Sequence, residues 1–108
     1  LPNLEWLDLS KNKIDDSGLS FDVFKNLTKL KRLNLDGNHL TMLPFLPPSL
    51  QELKVNDNEL KELDKHSFRG LYKSLHELLL DNNLLQSVPR GILSLKSLQV
   101  LRLSFNKI

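Results

Sequence analysis

Leu30-Lys31-Arg32-Leu33-Asn34-Leu35-Asp36-Gly37-Asn38-His39-Leu40 decides the fold of this chain. Its pattern is L-x-x-L-x-L-x-x-N-x-L, and the chain states it five times. The other copies run through Leu4, Leu7, Leu9, Asn12 and Ile14; Leu50, Leu53, Val55, Asn58 and Leu60; Leu75, Leu78, Leu80, Asn83 and Leu85; and Leu98, Leu101, Leu103, Asn106 and Ile108. A repeat of this kind is read before any other signal, because each copy is one unit that buries its apolar face only by stacking on a neighbour.

From one first leucine to the next the spacings are 26, 20, 25 and 23 residues, so long and short copies alternate. Within each copy the apolar residues alternate with polar ones, as expected of a short strand with one buried face. The strands are expected to stack in chain order as a parallel sheet, with the leucines pointing into the coil. The chain then turns sharply and leaves backbone groups unpaired inside. An asparagine side chain offers both an acceptor and donors there. Asn12, Asn38, Asn58, Asn83 and Asn106 are therefore expected to form a ladder.

The connections between strands differ. Phe24 and Phe68 each precede the next copy's first leucine by six or seven residues and suit the wider back of the core. Short helical turns are expected at Ser20–Leu27, Lys65–Tyr72 and Arg90–Leu95. The return Leu43-Pro44-Phe45-Leu46-Pro47-Pro48-Ser49-Leu50 is rich in proline, which fixes φ and removes an N–H, so an extended or polyproline path is expected.

At 108 residues the chain is one domain. Its formal net charge is +2, from 15 basic and 13 acidic residues, and decides nothing about nucleic acid or membrane partners. No apolar run is long enough to span a bilayer. With no cysteine there is neither a disulfide nor a thiol nucleophile. Neither end carries the polar cap that terminal repeats need. The expectation is one segment, residues 1–108, of five repeats truncated at both ends and internal to a longer protein.

The five copies resemble the leucine-rich-repeat family, whose fold is an α/β solenoid: a horseshoe with parallel strands on the concave face and irregular, polyproline or short helical returns on the convex face. The returns Phe24-Lys25-Asn26-Leu27-Thr28-Lys29-Leu30 and Phe68-Arg69-Gly70-Leu71 are similar to the long repeats of extracellular animal proteins. The return Leu46-Pro47-Pro48-Ser49-Leu50-Gln51-Glu52-Leu53 is similar to the short repeat of small leucine-rich proteoglycans, and Asn3–Ile14 and Ser74–Ile108 resemble their podocan and extracellular matrix protein 2 branch. Bacterial effectors share a proline-rich return, but in uniform short copies, and one copy here fits. The resemblance implies a secreted protein of the extracellular matrix. Its partner would be an extracellular protein (a collagen, another matrix protein or a growth factor); heparan sulfate is a further candidate from the basic residues Lys25, Lys29, Lys31 and Arg32 rather than from the resemblance. The family's cysteine clusters and glycosaminoglycan attachment sites have no counterpart in this chain.

Side chains between the pattern leucines should face outward in rows on a rigid scaffold. The first row is Trp6, Arg32, Glu52, Glu77 and Val100; the second is Asp8, Asn34, Lys54, Leu79 and Arg102. Ser10, Asp36, Asn56, Asp81 and Ser104 form the third, and Lys11, Gly37, Asp57, Asn82 and Phe105 the fourth. Leu79, Val100 and Phe105 are a candidate apolar contact patch, against local packing as the plainer alternative, and Trp6 is a second candidate anchor. Asp36, Asp57 and Asp81, with Glu52 and Glu77 nearby, are a candidate acidic strip that Arg32 and Lys54 partly offset. Lys25, Lys29, Lys31 and Arg32 are a local basic cluster, suited to a polyanion but split between return and strand. Asn26-Leu27-Thr28 is the one N-x-S/T sequon, a candidate for N-glycosylation.

No catalytic arrangement emerges. His39, His66 and His76 occupy unrelated repeat positions, Asp15-Asp16 lacks a third metal ligand, and no nucleophile is placed beside a base. The expectation is a non-catalytic binding module without cofactor, metal, nucleic acid or membrane insertion. The alternatives are spacer repeats of a larger solenoid, or a glycosaminoglycan-binding segment.

Overall fold

The computed structural model describes residues 3–63 and 66–108. Five three-residue strands, β1 (Trp6–Asp8), β2 (Arg32–Asn34), β3 (Glu52–Lys54), β4 (Glu77–Leu79) and β5 (Val100–Arg102), form one parallel sheet in chain order. The register is that of the repeat: Leu7, Leu33, Leu53, Leu78 and Leu101 stand side by side. This is a solenoid of parallel strands, one coil to each repeat.

Each strand's central leucine points inward because its neighbours along the strand point the other way. Leu30, Leu33, Leu35, Leu50, Leu53, Val55, Leu60, Leu75, Leu78 and Leu80 are fully buried, and Phe24 and Phe68 fill the wider back of the coil. Burying an aromatic ring of this size is the largest single apolar contribution to a coil. Truncating such a side chain to alanine typically costs about 3–5 kcal/mol. Burial falls off at both ends of the sheet, and Leu101 on β5 is 38% exposed.

The turn after each strand is built from two devices. The residue before the asparagine takes a left-handed backbone in every copy: Lys11 at φ 58°, Gly37 at 71°, Asp57 at 56°, Asn82 at 56° and Phe105 at 58°. The asparagine then collects the backbone groups that the bend leaves without partners. Asn38 Oδ1 accepts from the N–H groups of Asn12 and Ile14, while its Nδ2 donates to Leu9 and Leu35. Asn58 Oδ1 accepts from Leu40 N–H and its Nδ2 donates to Leu35 and Val55. Asn83 and Asn106 repeat the arrangement one coil further on, reaching back to Val55 and Leu80. Asn38, Asn58 and Asn83 are buried. Asn12, on the first coil, is exposed and enters through its backbone N–H.

The returns contain no α-helix among the described residues. A 3-10 turn at Asp16–Gly18 is capped by Asp15, whose carboxylate accepts from Ser17 N–H and Gly18 N–H. Those bonds, with the Ser17 hydroxyl foremost, hold the Asp15 carboxyl below the usual range. A second 3-10 turn spans Arg90–Ser94, inside the expected helical stretch. At Ser20–Leu27 the helical expectation resolves into successive i to i+3 turns, Val23 N–H to Ser20 and Leu27 N–H to Phe24. In the Lys65–Tyr72 stretch, Lys65 lies outside the described residues. From His66 onward the same turn pattern holds, with Arg69 N–H bonded to His66 and Leu71 N–H to Phe68. Seven residues separate Phe24 from β2 and eight separate Phe68 from β4, too few for a stable α-helix, so tight turns win. The proline-rich return has no helix, and Phe45 N–H bonds to Phe21 of the preceding return.

Candidate binding face

The outward rows come together as the register requires. Trp6 pairs with Arg32, Arg32 with Glu52, Glu52 with Glu77 and Glu77 with Val100. Asp8, Asn34, Lys54, Leu79 and Arg102 form the parallel row. Opposite charges meet at two places on this face, while Glu52 and Glu77 stand side by side. Arg32 Nε lies 3.2 Å from Glu52 Oε2, and Arg102 Nε lies 2.9 Å from Asp81 Oδ2. Such exposed pairs contribute about 0–1 kcal/mol each. Their consequence for the face is that they fix the direction of four side chains.

Trp6, Arg32, Leu33, Asn34, Glu52 and Lys54 line a shallow groove of about 130 Å³. Small-molecule sites usually run from about 300 to 1,000 Å³. The groove therefore suits a side chain of a larger partner. Trp6 stands over it 65% exposed.

The third row is more than a strip of charge. Every third-row backbone N–H is taken up by an Asx side-chain oxygen. Asp8 serves Ser10 and Asn34 serves Asp36, each within its own coil, at 3.0 Å. From there the bonds step forward: Asp36 Oδ1 accepts from Asn56 N–H at 2.7 Å, Asn56 Oδ1 from Asp81 N–H at 2.8 Å, and Asp81 Oδ1 from Ser104 N–H at 2.8 Å. This is a second ladder, running along the rim where the strands end. Asp36 and Asp81 thus hold the coils together, while Asp57, in the left-handed turn, is the exposed acid of the three. The sequence carried a signal for this: Asn56 shares the row with two aspartates, and a short oxygen acceptor is what the three have in common.

Two carboxyls on this face are shifted. Burial raises Asp36 above the usual range, against the pull of its bonds from Asn56 and of Lys54 nearby. Asp8 is held below the range by the hydroxyl and the N–H of Ser10.

The apolar candidates separate. Leu79 lies beside Arg102 and Val100 beside Glu77, so charged neighbours interrupt the expected patch. Phe105 stands beyond the strand end, on the fourth row, 80% exposed. Its exposure belongs to the position: Lys11, Asp57 and Asn82 on the same row are exposed too, two of them with coils on both sides. The basic cluster divides as well. Arg32 faces the concave side and pairs with Glu52, and Lys31 reaches Glu5 at 3.6 Å. Lys25 and Lys29 lie on the return, with Asn26 and Thr28 of the sequon exposed between them. Among the described residues there is no cluster of His, Cys, Asp and Glu that could hold a metal ion, and no helix is long and apolar enough to cross a membrane.

Comparison with known proteins matches this architecture. A family model described as "Leucine rich repeat" covers residues 48–108, and one described as "Leucine Rich repeats (2 copies)" covers residues 2–48. Osteomodulin of Bos taurus is 41% identical over the whole chain, mimecan of Mus musculus 39% over the whole chain, and podocan of Mus musculus 38% over 97% of it. These relatives are small leucine-rich proteoglycans, secreted into the extracellular matrix. The chain spans 26% of osteomodulin, 35% of mimecan and 18% of podocan.

Proposed function

This chain belongs to the leucine-rich repeat family, and we propose that it is a non-catalytic module of a secreted matrix protein that binds an extracellular protein ligand on its concave face. One observation carries the reading. Trp6 and Phe105 are large aromatics left in water, 65% and 80% exposed, at the two ends of a face whose other residues are mostly charged or polar, Leu79 and Val100 excepted. Aromatic side chains of this kind dominate the energetics of protein interfaces, and charged rows around them set orientation and on-rate. Lys54 and Glu77 on the strands, with Asp57 at the rim, supply charges outside any ion pair among the described residues.

A fibrillar collagen is the ligand class to test first, since the relatives are matrix proteoglycans. Binding of the chain to immobilised triple-helical collagen is measured by surface plasmon resonance. The variants are Trp6→Ala, and Lys54→Glu combined with Glu77→Lys. Losing an anchor or reversing the strand charges should weaken binding about tenfold or more. Undiminished affinity in both variants would reject the concave face. Asp36 and Asp81 are poor test positions, because replacing them also breaks the rim ladder. If collagen is not bound by the unaltered chain, the same variants are assayed against a panel of matrix proteins and growth factors.

A further inference from the structure

The small net charge hides a segregation. The concave strands are balanced, with Arg32, Lys54 and Arg102 against Asp8, Glu52 and Glu77. The two lateral edges of the solenoid are not. The edge where strands end (residues 10–17, 36–42, 56–62, 81–87 and 104–108) carries seven acidic residues and four lysines. The edge where strands begin (residues 3–5, 23–31, 44–51, 66–76 and 91–99) carries Lys25, Lys29, Lys31, Arg69, Lys73 and Lys96 against Glu5 alone.

Backbone bonds show that this second edge is one continuous surface. Gln51 N–H bonds to Lys31, His76 N–H to Gln51 and Gln99 N–H to His76, in single file. Ser49 Oγ donates to Leu30 O at 2.6 Å, which seats Pro48-Ser49 beside Lys29. Pro48 in turn lies against Gly70, next to Arg69. Ser97 Oγ donates to Lys73 O at 2.9 Å, so Lys73 and Lys96 occupy adjacent coils. Lys29 to Lys96 is three coil steps, about 14 Å at the strand spacing. All six cations are exposed. Lys31 meets Glu5 at 3.6 Å, and no ion pair engages the other five among the described residues.

Unpaired ammonium groups spaced along a line attract a flexible polyanion that can follow the line. We propose that this strand-entry edge binds a linear sulfated polysaccharide. Lysine suits the task, since its point charge on a long stem adapts to sulfates at irregular spacing. A single-stranded nucleic acid would look for aromatic stacking platforms. Here Tyr72 is half-buried, and Phe24 and Phe68 are in the core. The site is separate from the concave face, so a polysaccharide and a protein ligand can be held together.

The test compares two triple variants of the whole chain with equal change in net charge, on a column of immobilised heparin and by calorimetry with a size-defined heparin oligosaccharide. Lys29→Glu/Lys73→Glu/Lys96→Glu removes the edge; Lys13→Glu/Lys61→Glu/Lys107→Glu changes the opposite edge by the same amount. The unaltered chain is expected to bind, with affinity falling steeply as salt rises. The first variant should lose about tenfold or more and the second about twofold or less, as contact charges count far more than distant screened ones. Circular dichroism checks that each is folded. Lys29→Gln/Lys73→Gln/Lys96→Gln repeats the loss without adding like charges, should the first fail to fold. Equal losses in the two triples would mean that net charge acts rather than this edge, and would overturn the proposal. So would equal binding of desulfated heparin, or an oligonucleotide of matched charge competing as well as heparin.

Discussion

Asp36 Oδ1 accepts the backbone N–H of Asn56 at 2.7 Å, joining two coils whose residues stand 20 positions apart. The bond matters because the strands are only three residues long. Three residues make few ladder bonds, so what happens at each strand end decides how firmly coils stay in register. Leaving such an N–H without a partner costs about 1–3 kcal/mol when buried.

Asp36→Ala is therefore expected to destabilise the chain by about 1 kcal/mol, the low end of that range, because Asn56 is only half-buried. Asp36→Asn keeps the acceptor, as Asn56 itself does for Asp81 N–H, and removes a desolvated charge. At neutral pH it should equal or exceed the natural chain in urea denaturation. The pH dependence follows from the raised carboxyl. A folded-state value above the unfolded one means stability is fully present below the unfolded value and lost as pH rises through the folded one. The advantage of Asp36→Asn should shrink as pH falls into the carboxylate range, and a gap that widens there would contradict the burial of Asp36.

The inner ladder gives a graded prediction. Asn58 supplies one acceptor and reaches three carbonyls, of Leu35, Val55 and Asn56. Asn58→Ala should cost about 1–3 kcal/mol or more, since several buried groups lose partners together. Asn12→Ala, on an exposed rung, should cost within about 0.5 kcal/mol. Urea midpoints with unchanged slopes would read out the difference, and equal losses would show that position along the ladder is irrelevant.

These two ladders mark how far the sequence could be read. The inner one is legible because Asn recurs at one position in all five copies, and the leucine spacing places every strand. The outer one is masked because Asp and Asn share the work from two different rows, and its aspartates look like free charge. Arg32 and Lys31 are neighbours in sequence, yet one faces the groove and the other the lateral edge. A short strand with period two separates them, and that separation hides the basic edge, whose members come from different coils. The short helical turns expected of the returns take the tightest form, 3-10 at Arg90–Ser94 and i to i+3 turns at Ser20–Leu27, since they close after three residues.

Asn26 tests the compartment. Asn26 and Thr28 are both exposed, on a turn whose backbone bond runs from Leu27 N–H to Phe24. Expressed through a secretory pathway, the chain should carry a glycan that peptide N-glycosidase removes, with a shift in electrophoretic mobility that Asn26→Gln abolishes. Because Asn26 lies between Lys25 and Lys29, the glycosylated form should also bind heparin more weakly than the Asn26→Gln form.

Phe105 gives the sharpest separation of stability from function. Its backbone is left-handed at φ 58°, where a bulky side chain is disfavoured by about 1–2 kcal/mol. The equivalent position in the preceding coil is Asn82, at φ 56°, a residue type that tolerates this conformation through its short polar side chain. Nothing in the fold compensates Phe105, because its ring is in water. The backbone and the exposure are common to this turn position, so what sets Phe105 apart is a large apolar ring there, which the proposed protein contact would use. Phe105→Asn is therefore expected to raise stability by up to about 1 kcal/mol, read as a higher urea midpoint. The same variant should weaken protein-ligand binding about tenfold, as loss of an aromatic anchor does, while leaving heparin retention on the far edge unchanged. A variant that gains stability and keeps full affinity for the protein ligand would remove Phe105 from the binding face.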